Sequence, residues 1–370
     1  MNPFKYGQVV SGVDFCPRPE TQKQLASQIQ SAQNVVVYGE RRIGKTSLIY
    51  ETIITAGKRR MLHIDLMDVK SLEDLHARMA KAILSMEQRS GSLEKIFSLL
   101  AGLRPVLSMD PYTGQPSFSI DAPAKTNPSS IEGLLDLIDS LNQKKPLVVF
   151  IDEFQDILNL PDANHTFALL RGKIQFHQNI PYLFAGSIRN AMWDIFTNPD
   201  NAFYKSALPL EVGALDRDLF SRFLLGKFKA GRRKVSRVLL ERIFEMTDQV
   251  AGDVQELCGA LWETSESGDD LDESALGSAL ERIYAQEVKG YESCMVLLTA
   301  LQVKCLIGIA KIGGEAPFST RFLRESGIAT SASVTKALNR LMRLKIIFKS
   351  ERGYRFTNPF FKNWLLWKNL

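Results

Sequence analysis

Short apolar runs alternate with longer helical stretches along the first 213 residues of the chain. The pattern predicts helices between the runs, among them residues 46–54 and 72–87, and strands at residues 34–38, 61–66, 146–151, 182–186 and 207–212. The run at 146–151 is continuously apolar and does not alternate with polar positions, which is typical of a strand buried on both faces. We therefore predict an α/β fold in which helices cover both faces of a parallel sheet, in three layers.

An insertion of different character interrupts this pattern near residues 91–130. Within it, two alternating stretches, residues 106–109 and 117–120, flank a turn sequence at 110–114 that contains Asp-Pro and Gly. Alternation around such a turn is typical of two antiparallel strands. We predict a β-hairpin here.

Helical periodicity dominates the remainder of the chain. Residues 216–291 carry apolar positions at helical spacing, which predicts a small helical lid. The last segment predicts three helices and a strand pair, at residues 297–312, 320–325, 331–345, 346–349 and 354–356. Three helices followed by a hairpin indicate a winged helix-turn-helix. The predicted domains are a core at 1–213, the helical lid at 214–298 and the winged helix at 299–370.

A glycine-bearing loop follows the first predicted strand. Residues 39–46 match GxxxxGK[ST] at every fixed position, between a predicted strand and a predicted helix. Gly39 and Gly44 permit the backbone angles and close approach that turn amides toward a phosphate, and the helix N-terminus adds its positive end. Lys45 is expected to reach the β- and γ-phosphate oxygens, and Thr46 to bind Mg²⁺. The match predicts ATP and Mg²⁺ as cofactors of a P-loop NTPase core of the RecA and AAA+ kind.

Nucleotide contacts are predicted along the whole loop and into the first turn of the next helix. They are Gly39, Glu40, Arg41, Arg42, Ile43, Gly44, Lys45, Thr46 and Ser47. Arg41 and Arg42 lie outside the consensus, and we interpret them as a solvated basic rim of the loop and not as catalytic residues.

Two carboxylates end the most apolar of the predicted strands. Asp152 and Glu153 follow it directly, at the end where ligands bind in open parallel sheets. We predict that Asp152 holds Mg²⁺ through water and that Glu153 polarises the attacking water. Ser187, after the fourth predicted strand, is either a sensor of the γ-phosphate or a turn hydroxyl. Lys45, Glu153 and Ser187 are the candidate catalytic residues.

The sequence gives no sign of a membrane span, a signal peptide, a zinc site or a disulfide framework. No apolar run has the length of a membrane span and the first residues lack the apolar core of a signal peptide, so a cytoplasmic protein is expected. The cysteines form no CxxC pair and are interpreted as free thiols: Cys16, Cys258, Cys294 and Cys305. The histidines form no cluster and are interpreted as structural: His63, His76, His165 and His177.

Charge is distributed unevenly along the chain. Residues 299–370 carry thirteen basic and three acidic side chains, a net charge of +10, so the rest of the chain carries −5 of the total of +5. The predicted recognition helix would present basic and polar side chains to duplex DNA: Thr335, Lys336, Asn339, Arg340 and Arg343. The alternative is that the module packs against the core or mediates assembly, since a cluster of charges is usually a solvated face.

Several motifs resemble those of the archaeal-type ATPase family, a branch of the P-loop NTPases related to AAA+ and STAND ATPases. Residues 2–4 and 15–20 are similar to its opening "NPF" and "FxxRxxE", and residues 39–46 to its "GxRRxGKT" loop. Residues 149–155 resemble its "FIDEFQ", residues 185–187 its "GS" after the sensor strand, and residues 357–365 its closing "DPFFRxWL". Where the family often reads "FYGR" and "GGxP", this chain has Phe-Tyr-Lys-Ser at 203–206 and Ala-Gly-Asp-Val at 251–254, so these motifs assign neither an arginine finger nor a lid sensor.

Two functions follow as expectations. The resemblance implies a magnesium-dependent ATPase that acts as a molecular switch, coupling nucleotide state to a partner or to DNA. The alternative is a DNA-binding regulatory protein whose winged helix is the main effector and whose ATPase is slow or vestigial. A second copy of the chain or another protein is a candidate partner, with Arg171 and Arg189 as candidates for an arginine finger supplied in trans.

Overall fold

The computed structural model divides the chain into two compact units. It describes residues 1–57, 59–88, 104–109, 116–121, 128–187, 189–350 and 352–368, with the backbone alone at 104–109, 116–121, 128–129 and 189–190. The first unit is Val9–Gly213, and the second joins Met1–Gln8 to Ala214–Leu370. The predicted lid and winged helix thus lie in one compact unit here, and the three-domain division stays a prediction.

Strands and helices alternate through the first unit. Its helices are α1 (Pro19–Gln30), α2 (Lys45–Ala56), α3 (Leu72–Gln88), α4 (Pro128–Lys144), α5 (Ala163–Ile174) and α6 (Arg189–Thr197). Its strands are β1 (Val35–Tyr38), β2 (Arg60–Asp65), β3 (Arg104–Met109), β4 (Pro116–Asp121), β5 (Leu147–Asp152), β6 (Tyr182–Gly186) and β7 (Leu208–Glu211).

A parallel sheet forms the centre of this unit. Within the described residues its five strands follow the order β2-β5-β6-β1-β7, and every neighbouring pair is parallel. Each residue of β1 and β6 is buried, as is β5 up to its last residue, because helices cover both faces. The predicted three-layer α/β fold with a parallel sheet is confirmed. The order also makes β5, β6 and β1 neighbours, so their carboxyl ends meet at one edge.

The core has two apolar layers, one on each face of the sheet. One layer contains an aromatic cluster of five buried phenylalanines: Phe154, Phe167, Phe184, Phe196 and Phe203. The rings of Phe154 and Phe184 lie 4.6 Å apart between centroids. The other layer packs aliphatic residues of β1 and α2 against residues of β5 and β6. The continuous apolar character of the strands follows from this double coverage.

The insertion between α3 and α4 contains the predicted hairpin. Strands β3 and β4 pair antiparallel, from Arg104 opposite Asp121 to Met109 opposite Pro116. The turn sequence at 110–114 lies outside the described residues.

The second unit is mainly helical. Its helices are α7 (Arg217–Ala230), α8 (Arg237–Met246), α9 (Ala251–Glu263), α10 (Leu276–Val296), α11 (Ala300–Ile312), α12 (Thr320–Ser326), α13 (Ser331–Arg343) and α14 (Pro359–Trp367). Its strands are β8 (Lys234–Val235), β9 (Asp270–Leu271), β10 (Ile347–Ser350) and β11 (Gly353–Phe356). Helices α11 to α13 followed by the antiparallel pair β10–β11 form a winged helix. Helix α14 was not predicted; its first residue is a proline, and the Asn358 side chain caps the helix by accepting hydrogen bonds from the Phe360 and Phe361 amides.

Within the part of the chain that the structure describes, no helix combines the length and the apolar character needed to cross a membrane.

Replacing Phe154 with Ala should destabilise the first unit by about 3–5 kcal/mol, because the ring is fully buried among four other phenylalanines. Hydrogen exchange of the β5 and β6 amides measures the opening of this unit directly. Phe176→Ala is the matched control, since that ring is 75% exposed. Equal exchange rates in the two variants would contradict the cluster's role in the core.

Candidate nucleotide-binding site

The loop at residues 39–46 connects β1 to α2, as predicted. Gly44 is the N-cap of α2 and adopts the left-handed conformation, with φ 102° and ψ 24°. A glycine reaches this conformation without the steric cost of a side chain. Arg42 also has a positive φ, 61°, which is uncommon for a residue with a Cβ. The loop is therefore held in a specific backbone conformation directly before the positive end of a helix.

Gly39 is required by close packing. A Cβ on this residue would overlap the main-chain carbonyl of Val212, just beyond β7. The amide of Val212 donates to the Tyr38 carbonyl at 2.8 Å, which continues the pairing of β1 and β7. The start of the loop is thus pressed against the end of the neighbouring strand.

Lys45 lies in the first turn of α2 with its side chain buried. Its ammonium donates to the carbonyls of Gly39, at 3.1 Å, and Glu40, at 2.9 Å. Burial lowers the pKa of Lys45, while the carboxylates of Glu153 and Asp152 act in the opposite direction. The positive charge therefore lies close to both predicted acidic residues.

Thr46 and Asp152 are in direct contact. The Thr46 hydroxyl donates to Asp152 Oδ2 at 2.8 Å, and the Glu153 amide donates to Oδ1 at 3.1 Å. Burial raises the pKa of Asp152, and the hydrogen bond from Thr46 opposes that rise. The two predicted metal ligands thus present oxygens to one small region at the end of β5.

Glu153 adopts the left-handed conformation, with φ 50° and ψ 43°. Its Oε2 accepts hydrogen bonds from the Ser187 hydroxyl at 2.9 Å and from Gln155 Nε2 at 2.5 Å. Gly186 makes room for this arrangement, because a Cβ there would overlap the side chains of Gln155 and Met192. A non-glycine residue in this conformation is common at functional sites, where surrounding contacts offset its cost.

The other predicted contact residues differ in exposure. Ser47 is buried, and its hydroxyl accepts from the Val10 amide at 3.1 Å. The Ile43 side chain is buried in the core below the loop. Arg41 is exposed, which agrees with a solvated rim, and Arg42 and Glu40 are half-buried. Their contacts with nucleotide stay predictions.

Two residues near the loop were not expected to belong to this site. His63 was interpreted as structural, but its Nε2 lies 4.0 Å from Asp152 Oδ2, and its ring stacks on Phe150. Arg18 is buried and its guanidinium donates to two main-chain carbonyls, one of them in the loop. The pairing of β2 with β5 places His63 beside Phe150. The sequence did not indicate that His63 lies near Asp152, because periodicity and motifs do not reveal strand order.

The donor set fits a magnesium ion. A hydroxyl and a carboxylate oxygen 2.8 Å apart are hard ligands, as Mg²⁺ prefers. Among the described residues, no group of three or more His, Cys, Asp or Glu side chains is arranged to hold a metal. Mg²⁺ usually keeps several waters and takes one or two protein ligands together with substrate phosphates, so the oxygens of Thr46 and Asp152 would be sufficient.

The fold is shared with proteins of known structure. Over 98% of this chain and 99% of the other, it is similar to a Walker-type ATPase of Pyrococcus abyssi, with a TM-score of 0.66 at 17% sequence identity. The chain therefore shares the fold of a Walker-type ATPase, and the resemblance to the archaeal-type ATPases is confirmed at the level of the fold. The ORC2 protein of Aeropyrum pernix in its ADP form is similar over 96% of this chain and 93% of that chain, with a TM-score of 0.51 at 16% identity.

Sequence comparison identifies the C-terminal module. Residues 289–367 match the family described as probable winged helix domain, which confirms the predicted winged helix. A comparison with curated proteins finds no match.

Gly39→Ala should destabilise the first unit by about 1–3 kcal/mol, because the new methyl group meets main-chain atoms that cannot rotate away. Gly133→Ala is the control, since nothing lies within 4 Å of a Cβ at that exposed position on α4 and alanine favours a helix. Urea denaturation of the two variants separates the effects. A Gly39 variant as stable as wild type would contradict the close packing described.

Proposed function

We propose that this chain binds ATP with Mg²⁺ and hydrolyses it at the carboxyl edge of its sheet. One observation carries the proposal: a continuous set of hydrogen bonds joins Thr46, Asp152, Glu153 and Ser187, from three adjacent strands, beside the loop that caps α2. Side chains of these types at this edge have the chemistry that phosphoryl transfer to water requires.

The loop binds the phosphates in this proposal. Main-chain amides between Gly39 and Lys45 surround the β-phosphate, and the N-terminus of α2 adds its positive field. Lys45 exchanges its bonds to the Gly39 and Glu40 carbonyls for phosphate oxygens. Contact with these anions would favour its charged form, which burial alone disfavours.

Thr46 and Asp152 would hold Mg²⁺, which when bound neutralises charge on the β- and γ-phosphates. The Thr46 hydroxyl would be the direct ligand, and Asp152 would act through a water molecule. Because burial raises the pKa of Asp152, its carboxylate form is harder to maintain as pH falls than that of an exposed aspartate.

Glu153 orients and polarises the attacking water in the proposed reaction. The Ser187 hydroxyl and the Gln155 amide both donate to Oε2, so they fix that oxygen and leave Oε1 to meet a water molecule. Ser187 has two interpretations at this position, as a γ-phosphate sensor and as a hydroxyl that orients Glu153. Its contact with Glu153 supports the second without excluding the first.

The proposed hydrolysis serves a switch, in which nucleotide state in the first unit alters how the second unit meets a partner. A winged helix in the second unit supports an effector surface of this kind. The relatives in fold are described as a Walker-type ATPase and as an ORC2 protein in its ADP form. A cytoplasmic location and a partner in assembly stay predictions. So does an arginine finger: Arg171 is half-buried on α5, and the side chain of Arg189 lies outside the described residues.

Lys45→Ala should weaken ATP binding by about tenfold or more, because charge-assisted hydrogen bonds to phosphate are removed. Glu153→Gln should still bind ATP with Mg²⁺ but hydrolyse it about a hundredfold more slowly, since an amide cannot accept a proton from water. Titration with a fluorescent ATP analogue measures the first effect, and phosphate release measures the second.

Lys81→Ala and Glu132→Gln are matched controls, because they make the same chemical changes on α3 and α4, away from the loop. Both should bind and hydrolyse ATP as wild type does. Hydrolysis by Glu153→Gln at the wild-type rate would remove the role proposed for that carboxylate.

A second candidate function is binding of duplex DNA by the winged helix. The observation in its favour is the solvent face of α13, where basic and polar side chains are all exposed: Thr335, Lys336, Asn339, Arg340 and Arg343. The opposite face of α13 is buried through Val334, Ala337, Leu338 and Leu341. A helix that is anchored on one face and basic on the other has the form of a recognition helix.

Other basic residues of the module form ion pairs with acidic side chains and contribute less to the proposed DNA-binding surface. Arg355 donates to Asp248 at 2.9 Å and lies over the Phe348 ring, so it stabilises the wing. Arg321 and Arg324 are within ion-pair distance of Glu325. Exposed Lys349 on β10 and Arg352 in the wing turn complete the proposed DNA-facing surface. Glu351, in the same turn, lies outside the described residues.

Replacing Lys336, Arg340 and Arg343 together with Ala should weaken binding to duplexes of every sequence. It should also lower the slope of log affinity against log salt by about one unit for each phosphate that the protein no longer neutralises. Fluorescence anisotropy of a labelled duplex over a range of salt concentrations measures both quantities.

The control is the triple variant of Lys81, Lys144 and Lys145, which removes the same charge from exposed positions of the first unit. It should leave affinity and slope nearly unchanged. Equal effects in the two variants would show that the loss of affinity comes from net charge alone and not from the exposed face of α13. Undetectable binding by wild type at low salt would leave the module as a protein-binding or internal surface.

A further inference from the structure

Arg18 is an unusual charged residue because its side chain is only 8% exposed. Its guanidinium donates from Nη1 to the Gly213 carbonyl and from Nη2 to the Ile43 carbonyl, both at 2.7 Å. Pro19 begins α1 directly after it, and the Arg18 amide donates to Gln22 Oε1 at 2.9 Å. The backbone of Arg18 is thus anchored, and its side chain links two distant segments.

Those two segments have different roles. Ile43 is a residue of the phosphate loop, directly before the N-cap of α2. Gly213 is the last residue of the first compact unit, and the chain enters the second unit at Ala214. Arg18 therefore joins the loop to the point where the chain leaves the first unit.

A second link connects the end of the first unit to the start of the loop. Val212 donates its amide to Tyr38, and its carbonyl lies against Gly39, where a Cβ would overlap it. We call Val212 and Gly213 the exit residues. They contact the loop at both of its ends, through Gly39 and, by way of Arg18, through Ile43.

The guanidinium is suited to transmit a displacement of the Ile43 carbonyl to the Gly213 carbonyl. Its donors form a rigid planar fork, so two bonds from one fork hold their acceptors at a defined separation. Bonds to a buried charged donor are stronger than neutral ones, so breaking them is costly. A shift of the Ile43 carbonyl is therefore passed to Gly213 and is not absorbed by a flexible side chain.

We propose that Arg18 is a positioning residue that transmits the nucleotide state of the loop to the exit residues and so to the connection between the two units. This rests on the proposed function, since it assumes that the loop binds nucleotide. The residue does not touch the phosphates in this account. It acts through the Ile43 carbonyl.

Hydrogen exchange of the full chain tests this proposal in residues 208–218, without nucleotide and with saturating Mg²⁺-ADP or a non-hydrolysable ATP analogue. In wild type, exchange near the exit residues should change by about tenfold between these states, as expected for one charge-assisted hydrogen bond. Arg18→Lys keeps the charge but cannot hold both carbonyls, so the response should fall below about twofold while nucleotide binding persists.

Arg59→Lys is the matched control. Arg59 also bridges two main-chain carbonyls, those of Leu147 and Asn179 at 3.2 and 2.7 Å, but at the opposite edge of the sheet. This variant should keep the full exit response. Exchange in β5 measures whether the core of each variant is intact.

The proposal is overturned if Arg18→Lys binds nucleotide and retains the wild-type exit response, or if wild type binds nucleotide with no change at the exit residues. It is also overturned if Arg18→Lys folds but binds no nucleotide at any concentration, since the residue would then belong to binding itself. Nucleotide affinity is measured separately by titration. Absence of binding in wild type would therefore be recognised as failure of the proposed function.

Discussion

The adjacency of β5, β6 and β1 in one parallel sheet is the constraint on which the candidate site depends. Parallel strands end at the same edge, so the carboxyl ends of three neighbours bring together segments separated by more than a hundred residues in sequence. The bonds from Thr46 to Asp152 and from Ser187 to Glu153 form across these ends. If the strand order were different, the same residues would not meet.

Burial gives this edge its electrostatic character. The Lys45 ammonium and the Asp152 carboxyl are each disfavoured as charged groups by loss of water, and the Asp152 carboxylate in turn favours the charged form of Lys45. Bonds from Thr46 and from the Glu153 amide further support the carboxylate. Positive φ angles at Arg42 and Glu153 show that the local backbone is constrained as well. In the function we propose, such a site is preorganised for polyphosphate and a hard cation, because the compensating groups are already in place.

Local sequence patterns predicted much of this arrangement. The spacing of Gly39, Gly44 and Lys45 predicted the loop between β1 and α2, and the apolar run before Asp152 predicted the buried strand β5. These features depend on residues adjacent in the chain, so periodicity and motif spacing are sufficient. The alternation in β3 and β4 predicted their pairing for the same reason.

Features that depend on distant contacts were not predictable in this way. His63 approaches Asp152 only because β2 pairs with β5, and Arg18 meets Gly213 only because β7 lies beside β1. Helix α14 was missed because the Asn-Pro pair at 358–359, a turn signal in isolation, here caps and begins a helix. The sequence also did not show which basic residues of the winged helix stay exposed. Arg355, for example, forms an ion pair with Asp248, more than a hundred residues earlier in the chain.

Isothermal titration calorimetry of the full chain with ATP, with Mg²⁺ present and with EDTA in its place, tests the proposed ATP site. We predict one ATP site per chain, with affinity that falls markedly when Mg²⁺ is removed, because Thr46 and Asp152 are then without the ion they share with the phosphates. Absence of binding at millimolar ATP with Mg²⁺, or binding with equal affinity in EDTA, would contradict it.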